Sequence, residues 1–336
     1  MCVSRRILPL CLSLILTLLT GACAYKGGNT FPLDPLYPRY DSYFMDMNTI
    51  SKLHPDLIML HIIGFSSSDD QPIFGFKLGR GLREILIIGQ HHGDEVLGVA
   101  LSMYLAEHMI ESYDNDKRVQ DLLDEYTLWI VPTINPDGWQ FVSRGITKSK
   151  RKNNRDTDAN GKFDIRTDGV DLNRNYPIFW DLDGESNTFS SYYKGSAPAS
   201  ESEVQSVIAL GRKHDFELAI FYHSSASGAL NETIFLPAVE EPDSTFTRLQ
   251  ELADLYARSV PRDYQKGTYQ LHQGSTSKVG NARNFFYHSL GVPAMLIEVG
   301  GVNKDGVSII HPPARMLRII QKRHLDALLK TLEAMI

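Results

Sequence analysis

Short apolar runs alternate with longer amphipathic stretches along most of this chain of 336 residues. The apolar runs have the length and composition of buried strands, and the stretches between them have the periodicity of helices. The alternation is typical of an α/β sandwich, in which helices cover a central sheet. From about Tyr40 onward the sequence contains no low-complexity linker and no internal repeat, so we expect one domain over residues 39–336.

The positions of the main elements follow from this pattern, with boundaries uncertain by several residues. The predicted strands are Leu57–Ile63, Ile73–Lys77, Glu84–Ile88, Thr127–Val131, Glu217–Tyr222 and Ala294–Glu298. The predicted helices are Ser42–Leu53, Val96–Ser112, Ser200–His214, Thr245–Ser259 and Pro313–Met335. Ser200 and Glu203 match a capping box, which predicts that Ser200 caps the third of these helices.

The N-terminus has the pattern of a secretory signal. Two arginines precede an apolar stretch, Ile7–Leu19, which is too short to cross a bilayer as a permanent helix, and small residues follow it. We therefore predict a signal peptide over residues 1–22. The residues up to Cys23 resemble a bacterial lipobox, which predicts lipidation of Cys23. Ordinary cleavage after Ala24 is the alternative.

The cysteine positions favour the anchored form. The three cysteines are Cys2, Cys11 and Cys23, so a mature domain has no disulfide and no cysteine nucleophile. Residues 23–38 are rich in Gly, Pro and Tyr and are predicted to form a tether or lead-in. We expect an exported protein of the cell envelope or periplasm that contacts a membrane only through its N-terminal lipid anchor.

The charge balance argues against a nucleic-acid partner. The formal net charge is −6, and binding to a phosphate backbone needs clustered Lys and Arg. One basic run, Lys148–Lys152, lies beside a run of acidic residues and is too short to define such a surface.

A metal site is predicted from one of three His-x-x-Glu pairs, which are His92/Glu95, His108/Glu111 and His214/Glu217. The motif is weak by itself, so its context has to decide. His92 and Glu95 lie between a predicted strand and a predicted helix, at the carboxyl end of the strand, where open α/β sheets place their sites. The second pair lies late in a helix and the third straddles a helix end, so ordinary polar roles explain both.

The third ligand is expected at another strand end, because a catalytic zinc usually has three protein ligands and one water. The apolar run Glu217–Tyr222 delivers His223 at its carboxyl end. Taken alone, His223 would be interpreted as a buried core histidine. Beside His92 and Glu95 it is the better candidate for a ligand.

Five segments resemble, in order and with comparable spacing, the motifs of the M14 family of zinc metallocarboxypeptidases (funnelins). They are Gly89–Glu95, Val131–Gly138, Gly169–Tyr176, Tyr222–Ser224 and Ile297–Glu298. With its signal sequence, the chain resembles an exported bacterial member of the family. The resemblance implies a mixed, twisted central sheet flanked by helices on both faces, the phosphorylase/hydrolase-like fold of zinc carboxypeptidases.

The resemblance also implies roles for individual residues. One Zn²⁺ per chain would be held by His92, Glu95 and His223, and a metal-bound water would be the nucleophile. Glu298 would be the general base, and its place at the end of an apolar strand should raise its pKa. Asn173 and Arg174 resemble the pair that binds the terminal carboxylate of a substrate. Asp171 would hydrogen-bond a ligating histidine.

Three further assignments depart from the usual motifs. The arginine that stabilises the oxyanion is either Arg151 or Arg155. The tyrosine that closes over the substrate is expected to be Tyr269, with Tyr287 as the alternative. Arg283 lies near where the specificity pocket is set, which favours an acidic group, such as glutamate or diaminopimelate, at the residue to be released.

The segment after residue 155 contains a second candidate metal site. Asp156, Asp158, Asn160 and Asp164 match positions of a calcium loop and could hold a structural Ca²⁺. The twelfth position is Thr167 rather than Glu. A polar surface loop is the alternative.

The predicted function is zinc-dependent hydrolysis of a peptide bond at or near a substrate C-terminus. A cell-wall peptide with a γ-D-glutamyl-diamino acid bond is one candidate substrate. One alternative is deacylation of an N-acyl amino acid, as in the succinylglutamate desuccinylases and aspartoacylases. The other is a non-catalytic peptide-binding protein, although His92, Glu95, His223 and Glu298 are all present.

Overall fold

A computed structural model of the chain describes Phe31, residues 33–273 and residues 276–336. The predicted signal peptide, residues 1–22, and the predicted lipidation site Cys23 lie outside these residues. Within the described part, no helix has both the length and the apolar character needed to cross a membrane.

The described residues contain one sheet of eight strands in the order β1-β2-β4-β3-β5-β8-β6-β7. In chain order the strands are β1 (Ile58–Phe65), β2 (Pro72–Leu78), β3 (Arg83–Ile88), β4 (Tyr126–Val131), β5 (Phe216–His223), β6 (Thr233–Phe235), β7 (Gln270–Leu271) and β8 (Ala294–Glu298). The strands β4, β3, β5 and β8 run parallel in the centre. Antiparallel pairs join β2 to β4 and β6 to β8, so the sheet is mixed, as predicted.

Eight helices of the described chain accompany this sheet. They are α1 (Tyr43–Leu53), α2 (Val96–Ser112), α3 (Lys117–Glu125), α4 (Pro136–Ser143), α5 (Ser202–Lys213), α6 (Ser244–Ser259), α7 (Ala282–Leu290) and α8 (Ala314–Glu333).

Both faces of the central strands are buried, which explains their continuous apolar sequences. In β3, Ile85 and Ile87 pack in the larger core cluster, to which α1, α2, α3, α6 and α8 contribute. Leu86 and Ile88 pack in the second cluster, with side chains of α5 and α7. Helices therefore cover both faces of the sheet, and the predicted fold class is confirmed.

The predicted elements agree closely with the structure. Each predicted strand and helix has a counterpart whose ends lie within two residues. The sequence did not predict β6, β7, α3, α4 and α7, which have ten residues or fewer. Short elements carry little periodic signal.

The predicted capping box is wrong. The helix α5 begins at Ser202, and Ser200 donates its hydroxyl hydrogen bond to Glu201. The Glu203 carboxylate instead accepts hydrogen bonds from Asn153 and Ser67. Burial among these polar partners competes with the local cap.

Part of the predicted lead-in, residues 23–38, packs against the remainder of the chain. Leu33 and Tyr37 are buried. The Tyr37 hydroxyl donates a hydrogen bond to the carbonyl of Pro312 at 2.9 Å.

A buried histidine joins α8 to the core. His324 lies with Nδ1 2.9 Å from the Tyr256 hydroxyl and Nε2 3.2 Å from the Tyr269 hydroxyl. Burial, and to a smaller degree Arg323, lowers the pKa of His324 to about 3. The folded chain therefore holds this imidazole neutral at pH values where the unfolded chain protonates it.

We predict that His324→Gln makes stability less sensitive to acid. Between an ordinary histidine pKa of about 6.5 and the folded pKa, the unfolded state binds the extra proton, so stability falls as pH falls. This histidine contributes about 1 kcal/mol per pH unit to that slope. Urea unfolding at pH 7, 6 and 5 should show that the free energy of unfolding falls less steeply with decreasing pH in the variant. His108→Gln, on the surface of α2, is the control, and equal slopes in all three proteins would contradict the prediction.

Candidate active site

The carboxyl ends of the parallel strands meet at one edge of the sheet. His92 and Glu95 follow β3, His223 ends β5, and Glu298 ends β8. His223 and Glu298 are direct partners in the β5–β8 register. A cavity of about 710 Å³ lies at this edge. Its walls include His92, Asp94, Glu95, Arg151, Asn173, Arg174, Tyr192, His223, Arg283 and Glu298.

Three buried side chains converge as a metal-binding group. The Oε1 atom of Glu95 lies 2.7 Å from His92 Nδ1, and its Oε2 atom lies 2.8 Å from His223 Nδ1. The two Nδ1 atoms are 3.2 Å apart. Two imidazole nitrogens and one carboxylate are the donors of a catalytic zinc site. The three predicted ligands therefore fit zinc.

The turn that carries His92 and Glu95 is fixed by close packing. A Cβ at Gly93 would lie 2.4 Å from the backbone of Gly138, so only glycine fits there. Asn135 donates to the carbonyls of His91 and Arg151 and accepts from the N–H of Gly138. The turn, the segment after β4 and the segment around Arg151 are held as one unit.

Asp171 supports both a ligand and an arginine. Its Oδ1 lies 3.1 Å from His92 Nε2, and its Oδ2 accepts from Arg151 Nε at 2.9 Å and Nη2 at 2.8 Å. Burial opposes the negative charge of Asp171, but Arg151 and His92 outweigh it and hold the pKa of Asp171 well below its ordinary value. The Asp171 carboxylate favours donation from Nε2 of His92, which leaves Nδ1 available to a metal.

The two candidate arginines for the oxyanion are placed differently. Arg151 lines the cavity, and its Nη1, which Asp171 does not use, lies 3.1 Å from His92 Nδ1. Arg155 does not line the cavity, because its Nε donates to the buried Glu201 at 3.2 Å. The geometry brings only Arg151 to the metal-binding group.

Glu298 lies in the cavity wall, and few favourable contacts stabilise the negative charge of its carboxylate. Burial, followed by the negative charge of Glu95, raises the pKa of Glu298 to about 8. Its Oε2 has no hydrogen-bond partner among the residues that the structure describes. Such a carboxylate is suited to exchanging a proton near neutral pH.

Three residues predicted to bind substrate line the same cavity: Asn173, Arg174 and Arg283. Arg174 donates from Nη1 to the carbonyl of Asn173. Arg283 is buried, and its Nε donates to the carbonyl of Leu236 at 3.0 Å. Burial, with the charge of Arg174, lowers the pKa of Arg283 to about 10. An anionic group entering the cavity would relieve this repulsion.

Neither predicted closing tyrosine lines the cavity. Tyr269 is buried, and its hydroxyl accepts from the N–H of Gly300 and faces His324. The Tyr287 hydroxyl donates a hydrogen bond to Asp243, the residue just before α6. Both hydroxyls bond other partners, and the structure does not bring either tyrosine to the metal-binding group.

Sequence analysis missed an exposed aromatic residue of the cavity. The ring of Tyr192 lies below two guanidinium groups, at 5.0 Å from Arg151 and 5.5 Å from Arg174. Tyr192 is in an irregular segment with no motif, so no local signal identifies it. His91 was also missed. It stacks on His223 with ring centroids 5.2 Å apart, and its position next to His92 was the available signal.

The predicted calcium loop does not bring its four residues together. Asn160 donates to Asp158, and Asp164 accepts from a backbone N–H within the loop. The carboxylates that lie within 4.8 Å of one another belong to Asp156, Asp158 and Asp168. The four predicted residues therefore do not form one group, and the calcium prediction is not supported.

Comparison with known proteins gives a family. Residues 44–327 match the zinc carboxypeptidase family, Peptidase M14. Metallocarboxypeptidase A of Trichophyton tonsurans is 24% identical over 259 residues, which cover 70% of this chain and 57% of the fungal protein. Carboxypeptidase A2 of Mus musculus is 27% identical over 263 residues, which cover 76% of this chain and 58% of the mouse protein. The chain thus spans less than two thirds of these relatives.

A solved structure shares the fold. Bovine thrombin-activatable fibrinolysis inhibitor, in complex with a tick carboxypeptidase inhibitor, superimposes with a TM-score of 0.74 and 21% sequence identity. The match covers 89% of this chain and 97% of that chain. At this level of identity the likeness establishes the architecture.

We predict that Asp171→Asn weakens zinc binding about 10–100-fold, the usual effect of removing the partner of a ligating histidine. The amide cannot supply the negative charge that orients His92 and Arg151. Competition with a chromophoric chelator would measure the zinc affinity. Asp181→Asn, at an exposed position, is the control, and an unchanged affinity in Asp171→Asn would show that His92 does not depend on this carboxylate.

Proposed function

Because the chain belongs to the Peptidase M14 family of zinc carboxypeptidases, we propose that it is a metallocarboxypeptidase that hydrolyses a peptide bond at or near a substrate C-terminus. The observation that carries the proposal is the convergence of His92, Glu95 and His223 in one cavity with Glu298. Zinc held by the three ligands would supply a Lewis acid that polarises a carbonyl and lowers the pKa of water.

Glu298 acts as the general base. Its unpartnered Oε2 takes a proton from the attacking water, and the same carboxyl group then passes the proton to the leaving amine. Its raised pKa supports both steps, because a group that titrates near neutral pH can accept and release a proton.

Arg151 stabilises the negative charge that develops on the scissile carbonyl oxygen. Two of its nitrogens are fixed by Asp171, which leaves Nη1 directed towards the metal-binding group. A donor that is held in place before the reaction lowers the barrier without reorganisation.

Asn173 and Arg174 bind the terminal carboxylate of the substrate. Both line the cavity, and Arg174 is anchored by its bond to the backbone of Asn173. A guanidinium group matches the two oxygens of a carboxylate. This contact selects substrates with a free C-terminus.

Arg283 sets a preference for an acidic residue at the position to be released. Its guanidinium is buried in the cavity wall with only a backbone carbonyl bonded to Nε. Glutamate, or a diamino acid such as diaminopimelate that carries a second carboxylate, would supply the missing negative charge. A γ-D-glutamyl-diamino acid bond of a cell-wall peptide is one substrate of this class.

The location of the activity follows from the predicted signal at residues 1–22. We propose export to the cell envelope, with a lipid at Cys23 as the anchor to the membrane. An envelope location is consistent with a cell-wall peptide as substrate.

We predict that Glu298→Gln lowers turnover by about 10²–10⁴-fold while the protein still binds zinc, because the amide cannot accept a proton. The zinc-loaded protein would be incubated with peptides of varied C-termini and, separately, with peptidoglycan stem peptides. Products would be identified by mass spectrometry. Glu241→Gln, in an exposed loop, is the control.

The products distinguish the substrates. Release of single C-terminal residues from the first pool would support a general carboxypeptidase, and release only from stem peptides would support cell-wall hydrolysis. The absence of products from both pools, with zinc bound, would contradict a peptidase.

We predict that Arg283→Ala lowers the preference for an acidic over a neutral C-terminal residue by about tenfold or more, as expected when a buried charge partner is removed. Arg283→Lys should retain part of the preference because it keeps the charge. The measurement is the ratio of kcat/KM for peptides ending in Glu and in Gln. An unchanged ratio in Arg283→Ala would remove Arg283 from the specificity pocket.

A further inference from the structure

A second cavity, of about 470 Å³, adjoins the catalytic one. Ser149, Arg151 and Ser191 line both cavities, whereas Arg283 and Glu298 line only the catalytic one. The second cavity therefore opens on the side of the metal-binding group that Arg151 occupies. The residues proposed to hold the released amino acid, Asn173, Arg174 and Arg283, line only the catalytic cavity.

The charges in this cavity have one sign. Lys150, Arg151, Lys152 and Arg166 are among its lining residues, and no Asp or Glu of the described chain lines it. We call it the basic cavity. Ile146 and Phe189 add apolar surface to the wall.

Among the described residues, no carboxylate forms an ion pair with either lysine of the basic cavity. Lys150 Nζ donates to the carbonyl of Asp168 at 3.0 Å. Lys152 Nζ donates to the carbonyls of Thr167 at 2.7 Å and Thr188 at 2.8 Å. Burial lowers the pKa of Lys150 to about 7 and that of Lys152 to about 8, because neutral carbonyls compensate the charges only in part.

Two neighbouring carboxylates are engaged by other groups. Asp168 accepts hydrogen bonds from Thr157 and from the N–H of Asp164. Asp94, on the catalytic side, accepts from Ser149. Arg166 is exposed and forms no ion pair with the described residues. An anion from outside the chain is the partner that this arrangement lacks.

We propose that the basic cavity binds a carboxylate of the substrate on the acyl side of the scissile bond. This inference rests on the proposed function, because the acyl side is defined by the position of Arg151 beside the metal-binding group. The carboxylate has two possible sources in a peptide. One is the side chain of an α-linked Glu, and the other is the free α-carboxylate of a γ-linked Glu.

Binding can be measured without turnover. The zinc-loaded Glu298→Gln protein would be titrated by calorimetry with three peptides that differ only at the penultimate residue, which is α-linked Glu, γ-linked Glu or Gln. We expect a Glu peptide to bind about tenfold more tightly than the Gln peptide, with a difference that shrinks as salt is added. The tighter of the two Glu peptides identifies the source of the carboxylate.

Substitution of Arg166 tests whether the preference for the Glu peptide arises in the basic cavity. Arg166→Gln, added to Glu298→Gln, should lower the Glu-to-Gln affinity ratio about fivefold, the effect of an ion pair worth about 1 kcal/mol. Lys162→Gln is the matched control, because Lys162 is exposed in the same segment and does not line the basic cavity. Arg166→Glu should lower the ratio further.

Two outcomes would overturn the proposal. One is equal affinity for the Glu and Gln peptides. The other is a Glu preference that Arg166→Gln and Lys162→Gln leave equally unchanged. Turnover by the chain without substitutions is measured separately. If no peptide is hydrolysed but the affinity ratio responds to Arg166, the carboxylate site stands and the proposed peptidase activity fails.

Discussion

One buried carboxylate, Asp171, connects the parts of the candidate site. It accepts two hydrogen bonds from Arg151, faces His92, and accepts from the N–H of Asn173 at 2.9 Å. A buried charge without partners is strongly unfavourable, so the segments that carry these groups have to be ordered together. The same bonds set the tautomer of His92 and leave Nη1 of Arg151 directed into the cavity. One side chain therefore orients both a predicted zinc ligand and the arginine proposed to stabilise the oxyanion.

Asn135, an uncharged residue, connects segments of the backbone in a similar way. Asn135 bonds the carbonyls of His91 and Arg151 and the N–H of Gly138, while Gly93 allows the metal-binding turn to lie against Gly138. Satisfied buried amides of this kind rigidify irregular segments. The three cysteines of the chain all lie within residues 1–23, so hydrogen bonds and packing order the described part of the site without disulfides.

The sequence predicted well the features that depend on the local pattern of apolar residues. His92, His223 and Glu298 adjoin apolar runs, and the end of a run marks the edge of a parallel sheet where side chains meet. The capping box, which is wrong, and the candidates that do not line the cavity involve side chains whose partners are distant in the chain. Tyr269 is held by a histidine of α8, Arg155 is held by a buried glutamate, and the capping-box glutamate is held by an asparagine. Spacing along a sequence carries no information about such partners, since only the assembled fold brings them within bonding distance.

The charges that line the two cavities bear on which ligands they attract. The chain as a whole carries −6, yet Arg166 and Arg283 line the cavities and form no ion pair with the described residues. The carboxylates of Glu95 and Asp171 are engaged by histidine and arginine. Cationic side chains clustered in a cleft concentrate ligands of the opposite sign. Under the two proposals, a peptide with carboxylates on both sides of the scissile bond would meet cationic side chains in both cavities. If Arg283 sets the specificity as proposed, a peptide that ends in lysine or arginine meets it as a like charge and is disfavoured relative to a peptide that ends in an acidic residue.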